Sequence, residues 1–230
     1  SGEHKLISLL VMEGDGIGPE ICAATLNVLR AADRRFELKL GFTTATIGFT
    51  ALKAQGTTCP DAAIAAAKAA DGVILGPVSH NDYPPADKGG INPSGALRKR
   101  LDLFANIRPA KTRAQFPARC GKPVDLVIVR ENTEDLYAGV EHYIDPRRSA
   151  AESIAIITKF GSERVIMYAF DYARKHGRKK VTLVHKANIL KMSNGLFLEC
   201  GREMAKRYPD IQFEDMIVDA TAMKLVIAPE

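Results

Sequence analysis

No apolar run in the sequence approaches the roughly 20 residues that a membrane span requires. The first apolar stretch, Leu6-Ile7-Ser8-Leu9-Leu10-Val11-Met12, lacks the length and the cleavage site of a secretory signal. No membrane association is therefore expected, and the location expected is cytoplasmic, or matrix-like if a transit peptide has been removed. Cysteine is scarce: Cys22, Cys59, Cys120 and Cys200 stand far apart and form no CxxC pair, which argues against a zinc knuckle or a redox motif and leaves four free thiols. Neither sign of charge dominates. With 32 Lys and Arg against 27 Asp and Glu, the net charge of +5 is too small to imply nucleic acid, though it suits a small anionic substrate. The densest basic stretch, Arg174 to Lys180, falls where a helix should end, and cations there complement the helix dipole. Internal repeats and low-complexity linkers are missing as well.

What is present is an ordinary globular composition, 46% hydrophobic and 26% charged over 230 residues, enough for one large domain or two small ones. Short apolar runs rich in branched residues alternate with helical patterns, the signature of an α/β fold. Strands are predicted at 6–12, 72–76, 124–130, 153–160 and 180–185, with one more ending near Val218. The runs at 72–76 and 124–130 are so apolar that both faces are expected to be covered. Helices are predicted from Pro19 to about Arg30, from Pro60 to about Ala70, after a Ser94 cap through Leu97, Leu101 and Phe104, after a Ser162 cap, around Phe197 to Ala205, and from Asp219. Within the Ser162 helix, Tyr168 and Tyr172 fall on the apolar stripe and read as core. Residues 76 to 95, GPVSHNDYPPADKGGINPSG, form one long loop, and such loops are often functional.

The turn GDGIGPE at 14–20 joins the first strand to the first helix. A dinucleotide fingerprint needs a third glycine at the sixth position, where the pyrophosphate meets a helix N-terminus. Pro19 stands there instead, so the fingerprint fails and the turn by itself is either a ligand contact or a tight structural corner. In open α/β sheets ligands sit beyond the carboxyl ends of strands. Polar runs in that position are Arg130 to Tyr137, His185 to Lys191, and Asp219. Arg98 and Arg108 accompany them, and arginines converging with a lysine and a tyrosine suit a di- or tricarboxylate. Taken singly, each arginine reads equally as half of a surface ion pair.

The order of these pieces resembles the β-decarboxylating dehydrogenases, the family of isocitrate, homoisocitrate, isopropylmalate and tartrate or malate dehydrogenases. The resemblance rests on GDGIGPE at 14, ALRKRLDLFANIRPAK at 96, VRENTEDLYAG at 129, HKANILKMSNGLF at 185 and VDATAMKLV at 218. It implies an isocitrate/isopropylmalate dehydrogenase-like two-domain α/β fold that is not a Rossmann fold. Residues 1–102 would be the N-terminal part of a large cofactor-side domain, and 103–230 a smaller substrate-binding and dimerisation domain. Members of the family run on past the position of Glu230, so the large domain is expected to be incomplete in this chain, as are the metal ligands and the adenosine site.

The resemblance also implies a reaction: oxidation of a 2-hydroxy acid with hydride transfer to NAD, or NADP, followed by loss of the β-carboxylate, assisted by Mg²⁺ or Mn²⁺. Arg98, Arg108 and Arg130 match the residues that clamp the substrate carboxylates, with Asn92, Ser94 and Asn188 as further substrate contacts. Tyr137 matches the acid that protonates carbon, Lys186 the lysine that assists proton removal from the hydroxyl, and Asp219 a metal-binding aspartate. Gly14, Gly16 and Ile17 lie at the cofactor turn. A homodimer is implied in which Lys186 and Asp219 reach into the partner's site; no nucleic acid and no membrane take part. RENTE resembles the isocitrate, homoisocitrate and tartrate branches more than the isopropylmalate branch. Asn92 and Ser94 reverse the serine-then-asparagine order common in isocitrate enzymes, leaving the substrate's third substituent open. A non-catalytic binding or regulatory subunit that keeps the carboxylate pocket is the alternative of a different class.

Overall fold

The computed structural model describes residues 5–229, which divide after Asp102 into two compact units. In the first, β1 (Ile7–Met12) is the middle strand of a three-stranded parallel sheet, flanked by β2 (Leu40–Thr44) and β3 (Gly72–Leu75). Its central place explains its burial, with Leu10, Val11 and Met12 at 2% exposure or less. Helices α1 (Gly18–Phe36), α2 (Gly48–Gln55), α3 (Asp61–Ala69) and α4 (Pro93–Arg100) complete the unit. Its core joins Leu10 and Met12 to Ile47, Ile64, Ala67 and Leu97.

Several expectations change here. β3 is an edge strand of this sheet, so Val73 and Ile74 are only partly buried and Leu75 is exposed, rather than covered on both faces. The first helix runs past Arg30, because Ala31 to Arg35 are helix-compatible and contain neither Gly nor Pro; it stops where Glu37 turns left-handed at φ 53°. Asn92, and not Ser94, caps α4: its side-chain oxygen accepts from Ser94 N–H at 3.1 Å and Gly95 N–H at 3.5 Å, with Pro93 following as a first helical residue. Phe104 lies beyond that helix.

The second unit contains β4 (Ala105–Lys111) antiparallel to β5 (Asp125–Glu131), β6 (Asp135–Tyr143) antiparallel to β7 (Ala151–Ile156), and β8 (Lys180–His185) parallel to β9 (Gln212–Ile217). Helices α5 (Lys159–Lys175), α6 (Ser193–Ala205) and α7 (Val218–Ile227) pack with them. The core gathers Val165, Ile166, Phe170, Leu183, Leu198 and Met204, and the fully buried Phe170 ring stacks on Tyr208 at 4.8 Å.

Here too the boundaries move. Thr158 caps α5 by accepting from Gly161 N–H at 2.9 Å, which places Phe160 inside the helix and Ser162 in its buried face. The buried stripe runs through Val165, Ile166, Phe170 and Ala173, so Tyr168 sits on the flank at 39% exposure instead of in the core. β5 is half-buried rather than covered, with Ile128 exposed. The basic stretch that starts in the last turn of α5 fastens the unit: Arg174 pairs with Asp210, Arg178 with Asp125 and Lys180 with Glu214. All four cysteines are free thiols. No helix among the described residues is long and apolar enough to cross a membrane.

Candidate active site

In the first unit the glycine turn adopts two left-handed corners, Gly14 at φ +75° and Gly16 at φ +56°. A Cβ at Gly14 would strike the carbonyl of Pro77, so the inner side of the turn is filled by backbone. Around Gly16 the space is open and Ile17 is 57% exposed, so the outer lip alone can meet a ligand. The residue that sequence reasoning passes over is Asp15 between them. It is buried, and it accepts hydrogen bonds from Phe49 N–H, Ser79 N–H and the Tyr83 hydroxyl. A buried acid in a glycine turn was the available signal.

Arg98 lies half-buried on α4 in the same unit. Among the described residues the Asn92 oxygen is engaged by the cap and the Ser94 hydroxyl is not, which reverses the division of labour that spacing suggests.

In the second unit the β4–β5 register sets Asn106 opposite Arg130 and Arg108 opposite Ile128. Residues directly opposite share a face, and so do residues two apart, hence Arg108 and Arg130 are diagonal neighbours on one face, their Cα atoms roughly 7–8 Å apart. Arg108 Nε reaches Asn106 Oδ1 at 3.4 Å. Arg130 donates to the Tyr137 hydroxyl oxygen at 2.5 Å and lies over its ring at 4.9 Å. Because that oxygen accepts, the phenolic hydrogen points elsewhere and is available to a ligand. Among the described residues Arg98, Arg108 and Arg130 form no ion pair, so the surface-ion-pair reading does not account for them.

The end of RENTE is structural. Glu131 accepts from Thr133 N–H, the Thr133 hydroxyl and Glu134 N–H, while Glu134 accepts from Thr158 N–H and its hydroxyl at the start of α5. Arg130 is thus anchored by a braced strand end.

β8 and β9 are parallel and in register to His185 and Ile217, so their carboxyl ends lie side by side. Lys186 and Asp219 follow those ends, and Lys186 Nζ reaches both Asp219 carboxylate oxygens at 2.5 and 2.7 Å. This hydrogen bond holds the Asp219 carboxyl below the usual aspartate range. Beneath the lysine, His185 is buried, donates from Nε2 to Asp215 at 2.8 Å and accepts Ala187 N–H at Nδ1 at 2.9 Å. Lys186 N–H in turn donates to Asn194 at 2.8 Å. Asn188 is exposed on the outside of this turn.

A hard divalent cation takes carboxylate and other oxygen ligands. The exposed Asp219 carboxylate suits one, but among the described residues no group of three His, Cys, Asp or Glu side chains converges to hold a metal ion. These residues therefore fit such an ion as part of its ligand set.

An α/β protein with exposed or half-buried arginines and a tyrosine, and a lysine–aspartate pair just past two parallel strand ends, is the class that these units define. The family model for isocitrate/isopropylmalate dehydrogenase matches residues 8–230. The chain is 37% identical over 222 residues to the mitochondrial NAD isocitrate dehydrogenase subunit 2 of Schizosaccharomyces pombe, covering 96% of this chain and 55% of that protein. It is 38% identical over 234 residues to homoisocitrate dehydrogenase of Methanocaldococcus jannaschii, covering 98% of this chain and 65% of that protein. Isocitrate dehydrogenase from Methylococcus capsulatus superposes with a TM-score of 0.84 at 45% identity, over 97% of this chain and 64% of that one. The chain belongs to the isocitrate/isopropylmalate dehydrogenase family and has the isocitrate dehydrogenase fold. It spans between 55% and 65% of the length of these curated relatives.

Proposed function

We propose that this chain carries the substrate-binding and acid–base part of an NAD-linked, metal-dependent dehydrogenase that oxidatively decarboxylates a 2-hydroxy di- or tricarboxylic acid. Isocitrate or homoisocitrate is the first choice of substrate; isopropylmalate, tartrate and malate follow. The observation that carries the reading is the meeting of Lys186 and Asp219, 33 residues apart, at the shared end of two parallel strands.

In this reading Arg98, Arg108 and Arg130 bind the carboxylates, with Ser94, Asn92 and Asn188 as weaker contacts. Lys186 assists removal of the hydroxyl proton; a nicotinamide bound at the cofactor turn would supply the hydride acceptor for C2. The β-carboxylate departs as carbon dioxide, and Tyr137 delivers a proton to the carbon left behind. Mg²⁺ or Mn²⁺ held partly by Asp219 would supply charge stabilisation for the oxygens that become anionic. Gly16 and Ile17, on the corner made by Gly14, offer the lip for NAD, with NADP as the other possible nucleotide. The unit 5–102 serves the cofactor side and 103–229 the substrate side.

The substrate-side unit exposes Leu136, Tyr137, Val140, Tyr143, Ile144 and Ile154 on or beside its β6–β7 hairpin, an apolar surface that suits a second subunit. We assign it to a homodimer in which Lys186 and Asp219 complete the partner's site. Three buried free thiols and one partly exposed one fit a reducing compartment, the cytoplasm or a matrix space. Tyr137→Phe tests the reading: loss of turnover with acid binding retained supports it, and unchanged turnover refutes the assignment of the acid.

A further inference from the structure

Asp15 has a carboxylate that is 8% exposed, and among the described residues no cation lies within ion-pair distance of it. Polar oxygens buried in this way need hydrogen-bond donors. The three donors come from two separate stretches: Phe49 N–H at 2.8 Å from one, Ser79 N–H at 3.0 Å and the hydroxyl of Tyr83 from the other. Phe49 lies in the first turn of α2, whose dipole favours a carboxylate there. Ser79 and Tyr83 belong to the long loop 76–95. Tyr83 also meets Phe49 edge to ring at 5.0 Å, and burial followed by the Asp15 bond pushes its hydroxyl above the ordinary tyrosine range, so it remains a donor at working pH.

Two further contacts show how closely the parts are fitted. A Cβ at Gly48, which sits at φ +74°, would collide with the Asp15 carboxylate, so the helix start has been cleared for it. The far end of the loop is pinned independently, since Ile91 N–H donates to the fully buried Thr58 hydroxyl at 2.8 Å and that hydroxyl donates to Ile91 O at 2.5 Å. Directly after Ile91 come the cap Asn92, Ser94 and Arg98.

We propose that Asp15 is a positioning residue that couples the cofactor turn at 14–18 to the loop leading into Asn92, Ser94 and Arg98, with Tyr83 as its side-chain donor. The proposal rests on the reading of those two segments as nucleotide and hydroxy-acid contacts. Either ligand then finds its partner's segment already set, and loosening the carboxylate weakens both sites together.

The test compares wild type, Asp15→Asn and Tyr83→Phe in the full natural enzyme. Tyr83→Phe keeps the ring against Phe49 and removes one bond, so it carries the test if Asp15→Asn does not fold. In hydrogen–deuterium exchange without ligands, both variants should speed exchange in 14–18 and in 79–91 together, by about tenfold for one lost bond to a charge, while β1 and α3 stay protected. In steady-state kinetics Tyr83→Phe should raise KM for the nucleotide and for the acid in parallel, with kcat little changed. Faster exchange in the loop with an unchanged turn overturns the coupling, and so does a lowered melting temperature with unaltered KM values. If wild type shows no turnover, the functional reading fails while the exchange experiment still decides the coupling.

Discussion

His185 Nε2 lies 2.8 Å from Asp215 Oδ2, and the buried imidazole with its more exposed carboxylate partner braces the turn that carries Lys186. The other ring nitrogen accepts Ala187 N–H, so the imidazole holds the backbone on the far side of the lysine. Groups of this kind orient the residue that performs the chemistry. Replacing His185 by Ala should lower kcat by about 10-fold or more, the effect typical of losing a group that orients a reacting side chain, and should leave the KM for nucleotide near its wild-type value. Steady-state kinetics of the purified variant checks this.

The same brace makes a pH prediction. The hydrogen bond from His185 holds the Asp215 carboxyl below the ordinary aspartate range. A depressed carboxylate stabilises the fold at pH above the unfolded value of about 3.9, and that stability is lost as pH falls through the lower folded value. Wild type should therefore melt higher than Asp215→Asn at neutral pH, and the gap should close below about pH 4. Melting temperatures of both proteins across that range test the sign.

Arg130 is the arginine that touches another predicted site residue. Arg130→Ala should raise KM for the acid by roughly 10- to 100-fold, the loss expected for charge-assisted bonds. Arg130→Lys should recover little of it, because an ammonium neither grips a carboxylate with two parallel bonds nor stacks on Tyr137 as the planar group does.

The intersubunit assignment has its own test. Lys186→Met and Tyr137→Phe should each be inactive as pure dimers. Mixed dimers refolded from both should regain activity, because one of the two sites then combines an intact Tyr137 from one protomer with an intact Lys186 from the other. No recovery in proven mixed dimers would place both residues in one subunit's own site.

In the core of the second unit, Phe170 is fully buried and stacked on Tyr208. Phe170→Ala should cost about 3–5 kcal/mol of stability. Urea unfolding of wild type and variant measures it.

Sequence pattern sufficed where one local rule controls the outcome. The run 6–12 is a strand because branched residues fill the middle of a sheet, and β8 ends at His185 as its charged tail requires. β2 and α2 left no comparable mark: β2 is an edge strand with exposed threonines, and α2 is one of the short helices, eight residues long. Caps were misread because serine at 94 and 162 satisfies the same rule that Asn92 and Thr158 in fact satisfy. The Lys186–Asp219 and Arg130–Tyr137 contacts depend on strand register, which spacing along one chain does not encode. Asp15 escaped for the same reason, since its three donors come from residues 49, 79 and 83.

The measurement that tests the central claim most directly is nicotinamide reduction by the longest natural form of the protein, with Mg²⁺ or Mn²⁺. Isocitrate, homoisocitrate, isopropylmalate, tartrate and malate should each be offered with NAD and with NADP. The account predicts turnover with one acid and one nucleotide, isocitrate or homoisocitrate with NAD first. Silence across every combination, from protein shown to be folded and dimeric, would contradict it and favour a binding or regulatory subunit.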